Sequence, residues 1–206
     1  MNKKEYFLHI LRLAEKKYGQ AEKRLAGEGW KHDWQTLIAT IYSAQTRDEL
    51  TIPVMTGAFD ELDTLDRFAN AKLSRIMQLT KKLNFYKTKS KNAKETARIL
   101  LKEYWGEVPS SLDELVKLPG VGRKTANLAL SEIHGKDGIC VDTHVHHIVN
   151  VLGLVKTKNP TETEFALMKI APRKYWSRIN RLFVLWGKNV KGRDKKKLLD
   201  ALHNNA

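Results

Sequence analysis

Apolar residues recur at helical spacing along most of the chain. Trp34, Leu37, Ile38, Ile41 and Tyr42 fall at i, i+3, i+4, i+7 and i+8, which lays an apolar stripe along a helix that Asp33 can N-cap. Ser90 can cap a segment carrying Ala93, Ala97, Leu100, Leu101 and Tyr104, which Gly106 and Pro109 stop. Ser111 with Glu114 forms a capping box for the short helix that follows. Gly135 and Gly138 close the segment after Lys124, and Gly153 ends one that starts near Asp142. Thr161 with Glu164 offers a further capping box for a helix cut by Pro172. Alternating strand patterns are scarce. The pattern predicts an all-α fold with short connections and no low-complexity linker, followed by a poorly ordered basic tail over Lys188 to Lys197.

Composition narrows the partners. The 206 residues are 42% hydrophobic, enough for a substantial core. Lys and Arg number 37 against 23 for Asp and Glu, a formal net charge of +14 that points to a polyanion, with nucleic acid ahead of an acidic membrane surface. No stretch approaches the roughly 18 consecutive apolar residues of a membrane span, and the start MNKKEYFLHI is amphipathic rather than a signal peptide. The protein is therefore expected inside the cell, in the cytoplasm or nucleoid, with no membrane partner. A single cysteine, Cys140, excludes an internal disulfide and any Cys-ligated zinc or iron-sulfur site built within one chain.

The most informative stretch is LPGVGRKTANLAL, positions 118 to 130. Pro119 ends the helix before it, Gly120 and Gly122 permit backbone angles and close approaches that side chains would block, and a new helix begins at about Arg123. Such a helix-hairpin-helix aims backbone N–H groups outward beside the positive end of a helix dipole, where a DNA phosphate can sit. Contacts of this kind carry no sequence information. The same turn also serves in helix pairs that bind nothing. Lys124 stands in the first turn of the second helix, where the dipole disfavours a cation. Asp142, 18 residues on, stands at the start of the next helix, a position where Asp is commonly just an N-cap.

Taken in order, SAQTRD at 43 to 48, GEVP at 106 to 109, LPGVGRKTA with Lys124, and VDTH with Asp142 closely resemble the endonuclease III branch of the helix-hairpin-helix (HhH-GPD) DNA glycosylases. The likeness runs from about residue 30 to 190. It implies two helical lobes: a six-helix barrel over roughly 29 to 138, with the hairpin at about 112 to 135, and a second lobe of residues 1 to 28 with 139 to 206. Duplex DNA would lie in the cleft between them, with Lys124 and Asp142 facing each other at its mouth, and one chain would suffice.

The resemblance also implies a mechanism. The damaged nucleotide must leave the stack, and side chains must fill the gap. Gln45 matches the residue that probes the vacated space. Phe85, in LNFYKTKS, aligns with a wedge on the other side, although a core aromatic reads equally well there. Lys124 would attack C1′, displace the base and form a Schiff base that undergoes β-elimination. The attacking form is the neutral amine, whereas an ordinary lysine titrates at about 10.4, so the helix dipole, partial burial or Arg123 must disfavour its charge. Asp142 would deprotonate or orient the amine and stabilise positive charge on the sugar. Asp48 and His144 take supporting roles, and Gly120, Val121, Gly122 and Arg123 contact the DNA backbone. A monovalent cation, Na+ or K+, would bind the carbonyls of Val116, Leu118 and Val121.

Two departures from the family stand out. Typical members end in four cysteines that hold a 4Fe-4S cluster, whereas this chain continues as NVKGRDKKKLLDAL, so no cofactor is expected. Leu198, Leu199 and Leu202 would replace the cluster's structural role, and Lys191 and Arg193, with Lys195, Lys196 and Lys197, its phosphate contacts. Val116 stands where bacterial relatives often carry a glutamate, which leaves the preferred lesion open, with damaged pyrimidines first. His144, His146 and His147 do not form a metal site, because 146 leaves the face that 144 and 147 share. Two alternatives stay open: a monofunctional uracil or thymine mismatch glycosylase, and a non-catalytic duplex-binding protein.

Overall fold

The computed structural model describes residues 2–190 and 194–203, and among these the chain is all-α, without a strand. In chain order the helices are α1 (Lys3–Tyr18), α2 (Asp33–Ser43), α3 (Asp48–Glu61), α4 (Leu65–Asn70), α5 (Leu73–Thr80) and α6 (Tyr86–Glu103). There follow α7 (Leu112–Leu115), α8 (Arg123–His134), α9 (Thr143–Val151), α10 (Pro160–Ile170), α11 (Trp176–Asn189) and α12 (Lys195–His203). They form two compact units, one of Arg24–Gly135 and one of Met1–Lys23 with Lys136–Ala206. Among the described residues no helix is long and apolar enough to cross a membrane.

In the unit of Arg24–Gly135, α2 is the central element. The stripe expected from the sequence is buried, but so are the residues between its members, from Trp34 to Tyr42 without a break. The reason is that α3, α6 and α8 all pack against α2, so it has no solvent face. Its buried Thr40 hydroxyl donates to the Thr36 carbonyl at 2.8 Å. Trp34 meets the edge of Phe59 at 5.1 Å between ring centroids, and Trp30 meets the same ring at 5.1 Å. Each such contact contributes about 0.5–1.5 kcal/mol beyond burial.

Several helix starts differ from the sequence expectation. His32 caps α2 and Asp33 lies inside its first turn, where its charge favours the dipole. Ser90 does not begin a helix: α6 starts at Tyr86, and Ser90 is buried inside it, where its hydroxyl receives the Tyr42 phenol at 2.9 Å and meets the Thr80 hydroxyl at 3.0 Å. Burial pushes the Tyr42 phenol up to about 12. Ser111 does cap α7, accepting from the Glu114 N–H. Asn159, rather than Thr161, caps α10, with Pro160 at its first position; Glu164 is buried within the helix.

In the other unit, α11 packs on α1, α9 and α12. The fully buried Trp186 indole donates to the Leu198 carbonyl at 3.1 Å, tying α12 to α11. Leu198 and Leu202 are buried and Leu199 is half-buried. Arg181 donates to the Ala21 carbonyl at 2.7 Å, and Arg178 pairs with Glu15 at 2.7 Å across α11 and α1. Part of the tail expected to be poorly ordered is helical: Lys188 lies in the last turn of α11, and Lys195 to Lys197 open α12, where Asp194 accepts from the Lys197 N–H at 2.9 Å, while residues 191–193 lie outside the described residues. Once Leu198 and Leu202 find an apolar seat, the lysines before them are ordered as the solvent face of a helix. Leu198→Ala is expected to lower unfolding free energy by about 2–4 kcal/mol in urea denaturation, and Lys196→Ala by less than about 0.5 kcal/mol.

Candidate active site

The hairpin is built by its buried residues. Leu118 and Val121 point into the core, and the Val121 N–H donates to the Leu118 carbonyl at 3.1 Å. Pro119 does not end the preceding helix, which stops at Leu115; it lies in the turn, and its carbonyl accepts from the Thr96 hydroxyl of α6 at 2.9 Å. The two glycines serve different ends. Gly120 has φ +79°, and a Cβ there would sit 3.0 Å from Asn92 Cβ and 3.2 Å from Ile41 Cγ2. Gly122 has an ordinary φ of −89°, and a Cβ there would meet nothing within 4 Å. Internal packing thus demands the first glycine, whereas the second leaves bare backbone facing open space.

Gly122 is the N-cap of α8 and offers no side-chain acceptor to its first turn. Lys124 stands exposed in that turn, beside the half-buried Arg123. Val116 is exposed before the turn, whereas the Val121 side chain is buried and leaves only its backbone for a ligand. Among the hairpin carbonyls, that of Leu118 already accepts one N–H and keeps a second lone pair.

Gln45 and Phe85 lie in the same unit and share an uncommon backbone. Among the described residues only Gln45, Phe85 and Trp105 are non-glycines with positive φ; the first two have 54° and 55°. Each such residue costs about 1–3 kcal/mol unless its surroundings hold it. Phe85 is 65% exposed, so it is not a core aromatic. Gln45 is exposed as well. The Asn84 amide donates to the Gln45 carbonyl at 2.6 Å. Asp48, in the first turn of α3, accepts from the Ala26 N–H at 3.1 Å and so anchors the segment before α2.

Lys89 went unnoticed in the sequence. It is 7% exposed, and its ammonium donates to the carbonyl of Tyr42 at 2.8 Å, to the carbonyl of Ala44 and to the Thr46 hydroxyl at 3.1 Å. Burial pushes its amine down to about 8. The signal was present but faint: Lys89 lies four residues before Ala93 on the buried face of α6, hidden in the lysine-rich run KTKSKNAK.

Asp142 and His144 belong to the other unit. Asp142 caps α9, its Oδ1 accepting from the Val145 N–H at 2.9 Å. The Cys140 carbonyl two residues earlier accepts from the Asn180 amide at 3.1 Å, which fixes the approach to that cap. His144 lies against Gly187 of α11, where any Cβ would collide with its ring. His146 meets the Thr163 hydroxyl at 2.6 Å, and among the described residues no group of three or more His, Cys, Asp or Glu is placed to hold a metal. Lys191 and Arg193 lie outside the described residues.

Comparison with known proteins gives a consistent result. Residues 38–173 match the family described as HhH-GPD superfamily base excision DNA repair protein. Endonuclease III of Thermotoga maritima is 44% identical over 157 residues, which cover 76% of this chain and 74% of that protein. A structure of a non-covalent endonuclease III–DNA complex is similar with a TM-score of 0.87 at 30% identity, over 98% of this chain and 94% of that one. A trapped endonuclease III–DNA covalent intermediate gives 0.86 at 32% identity, over 94% and 91%.

The hairpin geometry separates the two glycine substitutions. Gly120→Ala is expected to lower stability by about 1–3 kcal/mol, because φ and Asn92 both oppose a Cβ. Gly122→Ala should cost about 0.5 kcal/mol, as a poorer N-cap whose Cβ meets nothing within 4 Å. Melting curves of the two variants check both.

Proposed function

The chain belongs to the HhH-GPD superfamily of base excision DNA repair proteins, where it acts as an endonuclease III-type DNA glycosylase and AP lyase, and we propose that Lys124 and Asp142 carry the reaction on damaged pyrimidines in duplex DNA. The observation that carries this reading is the placement of Lys124: an exposed lysine in the first turn of a helix whose N-cap is a glycine with open space where a Cβ would stand. A duplex phosphate resting on Gly122 and the start of α8 would bring the sugar-phosphate backbone to that amine.

The neutral Lys124 amine attacks C1′ of the extruded nucleotide; the N–C1′ bond forms and the glycosidic bond breaks, with the base leaving on its electron pair. Asp142 accepts the amine proton and offsets the positive charge on the sugar. Opening of the sugar ring gives the Schiff base. Loss of a C2′ proton then expels the 3′ phosphate, and water hydrolyses the imine to free Lys124. Gln45 and Phe85 occupy the vacated stack, and Asp48 and His144 take supporting roles. Lys191, Arg193 and the exposed lysines that open α12 contribute phosphate contacts. The reaction needs one chain and takes place wherever duplex DNA lies in the cell.

A 4Fe-4S cluster does not fit this chain. It requires four thiolates or their equivalents, and the one cysteine, Cys140, is buried. A monovalent cation at the hairpin would be held by the carbonyls of Val116, Leu118 and Val121, and would add positive charge beside a phosphate.

Duplexes carrying one oxidised or ring-saturated pyrimidine, or one abasic site, test the assignment. Wild-type protein is expected to release the base and nick the strand 3′ to the lesion. Lys124→Gln should lower nicking on the order of 1,000-fold, and Asp142→Asn by about 100-fold. Base release without nicking would mark a monofunctional enzyme and exclude Lys124 as nucleophile; tight binding with neither would mark a non-catalytic protein.

A further inference from the structure

The end of α2 and the start of α6 are joined in a way that helix packing alone does not require. An α-helix leaves its last carbonyls without intrahelical partners, at the negative end of its dipole. At α2 these carbonyls, of Tyr42 and Ala44, are both taken by the Lys89 ammonium, which also reaches the Thr46 hydroxyl. One residue before α6's own cap, the Asn84 amide takes the carbonyl of Gln45. The segment 42–46 is therefore held from both sides by side chains of 84 and 89. Gln45 is left-handed between those anchors, and Phe85 is left-handed immediately after Asn84. The Tyr42 phenol, donating to the Ser90 hydroxyl at 2.9 Å, ties the same two helices together.

A lysine is an expensive residue for this interior place. Burial of its charge is costly, and a methionine would fill similar volume without that cost. What the lysine adds is three N–H donors on a flexible stem, directed at the oxygens around one turn. The turn they shape presents an exposed glutamine. Strained non-glycine backbone persists where its surroundings over-determine it, and two of the three positions of this kind among the described residues are 45 and 85.

We propose that Lys89 and Asn84 are positioning residues that lock the left-handed Gln45 and Phe85 into one preset pair, so that both side chains meet a DNA duplex without first ordering their loops. The proposal rests on the reading of Gln45 and Phe85 as the side chains that fill the stack. Preorganisation of this kind spares the entropy of fixing two loops when the complex forms. Lys89 acts only through the loop: its amine is buried on carbonyls and touches no substrate.

The test uses the full chain, with a duplex containing one damaged pyrimidine and a single-stranded oligonucleotide containing one abasic site. The single strand has no stack to fill, and Lys124 is carried by the hairpin. Lys89→Met and Asn84→Ala are each expected to lower kcat/KM on the duplex about 10-fold or more. Borohydride crosslinking to the single strand should stay within about twofold of wild type. Gln45→Ala should cost little more when added to Lys89→Met, because the two act through one contact. If Lys89→Met does not fold, Asn84→Ala, an exposed change, carries the same comparison. Unchanged duplex activity in the variants, equal losses on both substrates, or full additivity with Gln45→Ala would each overturn the proposal. Absence of any crosslink with wild-type protein would instead remove the lyase reading beneath it.

Discussion

A backbone approach at Gly120 sets the position of everything downstream in the hairpin. The left-handed turn brings its Cα within reach of Asn92 and Ile41, so close that no side chain fits, and the Thr96 hydroxyl holds the neighbouring Pro119 carbonyl. Leu118 and Val121 bury themselves on either side. With those anchors in place the chain has one way to leave the core, and α8 begins at Gly122. The first turn of α8, and with it the backbone of Lys124, is thereby positioned by packing against α2 and α6. That is how an exposed amine can be placed accurately: rigid elements position it, and the side chain stays accessible.

The same logic recurs at the other helix ends. Gln45 follows α2, Phe85 precedes α6, Asp48 opens α3 and Asp142 caps α9. Helix termini carry backbone groups that need partners, and the side chains that satisfy them also hold the candidate functional residues still. Lys89 and Asn84 do so for Gln45, the Asn180 amide holds the approach to Asp142 through the Cys140 carbonyl, and Asp48 is tied by accepting from the Ala26 backbone N–H. The C-terminal helix shows a related economy. Trp186 on the Leu198 carbonyl, with Leu198 and Leu202 buried, ties α12 to α11 by apolar packing and one indole hydrogen bond.

Much of this was legible in the sequence where one residue determines a local outcome. The glycine hairpin, the start of α8 at Arg123, the Ser111 cap and the all-α pattern follow from backbone permissiveness, capping and apolar period. What escaped were features set by distant partners. Ser90 looks like a helix start because serine caps well; it is interior because the Tyr42 phenol, 48 positions earlier, needs a buried acceptor. The true start of α6 has no capping side chain, only a left-handed phenylalanine, which no propensity favours. Lys89 reads as one more solvated lysine until the carbonyls of Tyr42 and Ala44 are seen to meet it. The Asn159–Pro160 start of α10 was readable and was masked by the competing Thr161 and Glu164 pair. At Lys195 to Lys197 the charge count outweighed the leucines at 198 and 202, whose burial makes these lysines the first turn of α12.

Which amine bonds to the sugar is the decisive question, and the chain offers a competitor in Lys89, whose pKa burial lowers to about 8. Borohydride reduction of the wild-type protein on abasic duplex, followed by nuclease trimming, proteolysis and mass mapping of the adduct, answers it in one measurement. The account requires the added sugar fragment on the peptide that contains Lys124. An adduct on Lys89, on the N-terminal amine or on a lysine of α12 would contradict it.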